Sequence, residues 1–106
     1  MGARRNICVR GKGYANEISE VYLYTHWLGQ KLPAILKAAL RRGKDRWSDR
    51  PYLARIIFCE MVKGAEMDET GFGIDTEEAD LNYPTIVVDV DYQLVDGTPF
   101  QEYIDA

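Results

Sequence analysis

Ten residues, Arg41-Arg42-Gly43-Lys44-Asp45-Arg46-Trp47-Ser48-Asp49-Arg50, gather five cations around one tryptophan. Arginine forks bidentately onto phosphate or carboxylate, and an indole beside it can stack on a base or pack against a guanidinium. The run therefore points to a small phosphorylated ligand, or an acidic patch on a host protein, contacted by Arg41, Arg42, Lys44, Arg46, Trp47 and Arg50. Arg41 and Arg42 also suit the negative end of a preceding helix. That leaves Lys44, Arg46 and Arg50 around Trp47 as positive charge without a structural purpose. In the competing reading the whole run only neutralises the chain's own acids. The run contains no P-loop and no Gly-x-Gly-x-x-Gly turn that would make the ligand a nucleotide.

A second constellation lies on strands. Tyr22, Tyr24 and His26 alternate onto one face, and Asp89 and Asp91 take the same kind of outward face on a later strand. If the two strands are neighbours, aromatic rings beside carboxylates make a binding or dimer surface. The plainer reading is that tyrosines are good strand formers. His26 is the only imidazole, so an alternative enzyme would use it as general acid or base, with Asp89 and Asp91 as partner carboxylates or metal ligands. No serine or cysteine sits in a nucleophile context, and the acidic spacings fit no calcium loop. One histidine and no Cys-x-x-Cys give no structural zinc site, so neither metal nor cofactor is expected.

Charge is divided along the chain. Residues 1–55 hold twelve of the thirteen Lys and Arg against four acids, a local charge of +8; residues 56–106 hold Lys63 against thirteen acids, a local charge of −12. The net −4 hides two opposed fields. A polyanion would meet the acidic half, which argues against nucleic acid as a partner. No apolar run reaches the length of a membrane helix, and no signal-peptide stretch follows the basic N-terminus. Cys8 and Cys59 are too far apart in sequence for a ligand pair and suit free thiols. The chain reads as a reduced, cytoplasmic protein with a single domain over residues 1–106.

These groups need elements to position them. Asn6–Arg10 predicts a strand closed by Gly11-Lys12-Gly13, and Ile18–His26 a second strand with clean alternation. Leu32, Ile35, Leu36, Ala39 and Leu40 give the stripe of a helix from Pro33 to Arg42, with Gly43 to end it. Ser48 or Asp49 caps a second helix running to Lys63, with Pro51 in its first turn. It is apolar around enough of its circumference to be central. A short strand near Phe72–Thr76 and a loop over Glu77–Pro84 follow. Thr85–Val95 then predicts one long strand, Asp96-Gly97 a turn, and Thr98–Glu102 a capped short helix. The order β-β-α-α-β-β-short α implies an α+β fold: an antiparallel sheet of about four strands, two main helices on one face, the other face open.

Several strings resemble a known group. Val21-Tyr22-Leu23-Tyr24-Thr25-His26-Trp27 runs into Leu32-Pro33, and Arg46-Trp47 runs on through Pro51-Tyr52-Leu53-Ala54-Arg55-Ile56-Ile57-Phe58. With Thr70-Gly71-Phe72-Gly73-Ile74 and Ile86-Val87-Val88-Asp89, they are similar to a family of small uncharacterised bacterial, phage and prophage proteins, over residues 18–95. The resemblance implies no catalytic residue. It does imply a setting, that of a phage accessory or counter-defence factor. The expectation is thus a non-enzymatic protein that sequesters a phosphorylated small ligand or blocks a host protein. A homodimer formed through the open sheet face is the structural alternative.

Overall fold

A computed structural model describes residues 2–106 of the chain. Its strands are β1 (Arg5–Lys12), β2 (Ile18–Thr25), β3 (Phe72–Asp75), β4 (Ile86–Asp89), β5 (Leu94–Val95) and β6 (Thr98–Pro99). Its helices are α1 (Leu32–Arg42), α2 (Arg50–Met61) and α3 (Phe100–Asp105), with single 3-10 turns at Gly29–Lys31 and Lys44–Arg46. The six strands form one sheet in the order β3-β2-β1-β4-β5-β6.

The fold is α+β, but the sheet is mixed rather than antiparallel. β1 pairs antiparallel with β2, and β2 with β3, so β3 already runs in the direction of β1. The chain then leaves β3 at one edge and enters β4 beyond β1, where it pairs parallel to it, Val9 facing Val88 and Arg10 facing Asp89. Residues 76–85 are the crossover, and they pass over the sheet face away from the helices. Asn6, fully buried, holds this segment in place: its amide donates to the Ala79 carbonyl (3.0 Å) and accepts from the Ala79 N–H (3.2 Å). The face expected to be open is therefore partly covered, and Cys8 beneath it is also buried.

Alternation on β1 explains why it sits centrally. Ile7 and Val9 point to the helices, Asn6 and Cys8 to the crossover, and all four are buried. Against the helix side pack Leu36, Ala39 and Leu40 of α1, Leu53, Ile57 and Met61 of α2, and Phe100 and Ile104 of α3. The 53/57/61 spacing gives α2 one narrow buried stripe. It lies against the sheet as an outer helix rather than at the centre. Its start is set by Asp49, whose side chain accepts from the Tyr52 N–H (3.4 Å) with Pro51 in the first turn.

The long strand over Thr85–Val95 is the clearest departure. β4 stops at Asp89, whose carboxylate accepts from the Tyr92 N–H (3.1 Å), and Gln93 takes a positive φ of 57°. β5 then folds back onto β4, Val95 opposite Val88. A side-chain turn at Asp89 overrides an alternation that continues unbroken through the bend. Tyr92 sits at the tip, 77% exposed, instead of on the core face with Ile86 and Val88.

Candidate functional site

The parallel pair decides where a cleft can form. Side by side, β1 and β4 end at Lys12 and Asp89, and their carboxyl ends face the turn at Lys44–Arg46 and the start of α2. Outside the carboxyl ends of parallel strands is where α/β sheets commonly take ligands. Here a cleft of about 400 Å³ is lined by Lys12, Gly13 and Tyr14 from the first hairpin, Asp45, Arg46, Ser48, Asp49, Arg50 and Pro51 from the α2 approach, and Val90 and Asp91 after β4.

Gly11 sits beside two of the lining side chains. A Cβ at this position would lie 3.3 Å from Asp91 Oδ1 and 3.4 Å from Arg50 Cδ, so the missing side chain lets both reach across the end of β1. Although they flank the same glycine, the two do not pair. Asp91 instead accepts from the backbone N–H of Lys12, with its oxygens at 3.1 and 3.3 Å. Asp49 is likewise committed to the N–H of Tyr52, so the positive end of α2 is already capped and side chains, not the helix, supply the free positive charge.

Among the described residues the ion pairs are Arg10–Glu20 (3.7 Å), Arg42–Glu60 (3.2 Å) and Lys63–Glu60 (4.0 Å). Lys12, Arg46 and Arg50 enter none of them. Arg46 lies over the Tyr52 ring, 5.3 Å from its centroid. Arg50 has a buried Nε without a hydrogen-bond partner, the one such side-chain atom among the described residues. A buried donor left unpaired costs on the order of 1–3 kcal/mol. The chain carries that cost at the point where three cations converge.

The remaining members of the basic run are brought elsewhere. Arg41 donates to the Ile104 carbonyl (2.6 Å), tying α1 to α3, and Arg42 donates to the Ile56 carbonyl (3.3 Å) and to Glu60. Trp47 turns inward: its indole N–H donates to the Leu40 carbonyl (2.9 Å) and its ring meets Phe100 edge-on at 5.3 Å. An indole so engaged packs against the core and is not a free stacking platform. Lys44 lies over the Trp47 ring at 5.5 Å. Of the run's five cations, Arg46 and Arg50 alone line the cleft.

The second constellation divides in the same way. β1 lies between β2 and β4, so Tyr22 and Tyr24 are a strand removed from Asp89, and Arg10 occupies the gap with register partners Glu20 and Asp89. Asp89 caps its own turn, while Asp91 belongs to the cleft. His26 is held from both sides, by Tyr24 Oη at 2.7 Å from Nδ1 and by Arg4 Nη2 at 3.3 Å from Nε2. A guanidinium only donates, so Nε2 accepts, Nδ1 carries the proton, and Tyr24 Oη accepts from it. Beside it Trp27 lies against Gly71. Tyr22 sits next to Cys8 in register. Burial pushes the Cys8 thiol up to about 11, with the Glu20 carboxylate adding to the rise. Tyr22 is pushed up to about 12, by burial first and then by Cys8. Both stay protonated at neutral pH, which suits packing rather than nucleophilic chemistry.

Among the described residues no group of three or more His, Cys, Asp or Glu side chains is placed to hold a metal ion, and no helix is long and apolar enough to cross a membrane. Asp45 and Asp49 entered only as members of the basic run and, for Asp49, as a helix cap, while Lys12 and Tyr14 were not singled out as site residues. The signal for them was the Gly11-Lys12-Gly13 turn, whose position beside the basic run only the sheet order reveals. No protein-family model, curated protein or solved structure matches the chain.

Proposed function

We propose that this protein binds a small phosphorylated ligand in the cleft between the ends of β1 and β4 and the start of α2, with Lys12, Arg46 and Arg50 as its phosphate contacts. The observation that carries this reading is Arg50: its stem packs beside Gly11 and its Nε is buried without a partner, in a cleft where three cations form no ion pair. A phosphate oxygen is the acceptor such a donor lacks, and a bidentate contact with a phosphate is worth more than one with a neutral group. The volume lies within the range of small-ligand sites.

No residue in the cleft forms a nucleophile–base pair, which favours a binder over a catalyst. Taken with the resemblance to small phage proteins, the reading is of a factor that sequesters its ligand stoichiometrically. Calorimetric titration with inorganic phosphate and with ribose 5-phosphate at low salt tests it. Saturable binding at one site per chain, weakened by added salt and weakened about tenfold or more in Arg50→Met, is the expected result. An Arg50→Met protein that binds as the unaltered chain does removes the cleft as the site.

A further inference from the structure

The cleft also holds groups that a bare phosphate would leave unused. Asp45, Asp49 and Asp91 line it with the three cations, so its formal charge balances to zero. Asp91 and Asp49 already accept backbone N–H groups, and their remaining lone pairs can accept from hydroxyl donors. The carboxylates would also repel any chain of phosphates continuing past the first, because each further phosphate would meet an acid. One more group stands at the mouth. Tyr14 is a corner residue of the turn closed by the Asn16 N–H to the Gly13 carbonyl (3.0 Å), and its ring is fully exposed, at 104%. An aromatic ring held at the rim of a cleft, with both faces free, is suited to stack on a flat partner.

Resting on the phosphate reading above, we infer that the ligand is a nucleoside monophosphate. Its phosphate would meet Arg50, Lys12 and Arg46, its ribose hydroxyls would donate to the cleft carboxylates, and its base would stack on Tyr14. A sugar phosphate satisfies the first two sets of groups and leaves Tyr14 idle. A nucleic acid strand satisfies the first and third and is repelled by the acids.

The test titrates the full chain by calorimetry with inorganic phosphate, ribose 5-phosphate, adenosine and uridine 5′-monophosphates, and a short single-stranded oligonucleotide. The expected order is monophosphate nucleoside above ribose 5-phosphate above phosphate. Stacking on one aromatic ring supports a gain of roughly fivefold or more for the base. Tyr14→Ala should bring the nucleoside monophosphates down to the affinity of ribose 5-phosphate while leaving the affinity for ribose 5-phosphate unchanged. Because that ring touches nothing in the fold, the melting temperature should not move either. Nucleoside monophosphates no tighter than ribose 5-phosphate, or an oligonucleotide tighter than both, overturn the inference and leave the phosphate reading standing. Failure of phosphate, ribose 5-phosphate and nucleotides alike to bind overturns both.

Discussion

Replacing Arg50 with Met separates a functional arginine from a structural one, because the two roles predict opposite signs. The Arg50 stem crosses the end of β1 with its Cδ against the position where Gly11 lacks a side chain. Methionine keeps most of that apolar contact and removes the guanidinium. In the free protein the buried Nε has no partner, and relieving an unsatisfied donor is worth about 1–3 kcal/mol. The rest of the guanidinium reaches partly exposed surroundings, so the lower end, ~1 kcal/mol, is the better figure. Unfolding entropy runs at about 2.1 cal/mol/K per residue, which for a chain of this length makes 1 kcal/mol worth roughly 4–5 °C. Arg50→Met should thus melt about 4 °C higher than the unaltered protein without ligand. It should also bind phosphate on the order of tenfold to a hundredfold more weakly, as the loss of a charged hydrogen bond implies. Differential scanning calorimetry with and without ribose 5-phosphate reads both quantities. A melting temperature several degrees lower would show that Arg50 holds the fold together, and the reasoning for the cleft would fail with it.

Other consequences follow from groups outside the cleft. Cys8 has its folded value raised to about 11 from an ordinary 9.0, so its contribution is complete below pH 9 and is lost as pH rises toward 11. Over that window the native state holds a proton the unfolded state has released, and stability should fall by up to about 2–3 kcal/mol. Urea midpoints from pH 8 to 11 should show this slope, and Cys8→Ala should reduce it, leaving the part that Tyr22 contributes above pH 10; an equal slope in both proteins would assign it to other groups. Asn6→Ala removes both hydrogen bonds that hold Ala79 and should cost about 2 kcal/mol. Hydrogen exchange should then lose protection over residues 76–85 before any other segment, and uniform loss across the sheet would contradict the assignment. In Gly71→Ala the new Cβ would stand 2.4 Å from Trp27 Cζ2 at a φ of +99°, so overpacking and backbone strain act together. A cost of about 2–4 kcal/mol with a shift in tryptophan emission is expected, and a neutral substitution would mean that Trp27 swings freely away.

Some of this was legible without coordinates because it depends on neighbours in sequence. The 3.6-residue stripe from Leu32 to Leu40 and the alternation of Ile18–Thr25 are local periodicities. Asp49 with Pro51 is a local start signal, and each of these elements lies within a residue or two of its expected bounds. Arg41 and Arg42 were open to a structural role for the same reason, since they end a helix. The hairpin at Asp89 was not legible: alternation continues through the bend, and the capping carboxylate competes with it through a single hydrogen bond.

What the amino-acid sequence determined by itself is the first three strands, the two main helices and the concentration of cations before α2. Which of those cations share a site was decided by the tertiary structure. The parallel placement of β4 beside β1 brings Lys12 and Asp91, 79 positions apart, to the start of α2, and it strands Asp89 away from Tyr22 and Tyr24. It also sends the crossover over the face that pattern alone leaves open. Strand order is set by how apolar faces and backbone partners are satisfied across the whole sheet, and no window of neighbouring residues carries that information. Trp47 shows the same limit on a smaller scale. It sits among cations in sequence, yet the Leu40 carbonyl and Phe100 draw it into the core, leaving Arg46 and Arg50 to face the cleft.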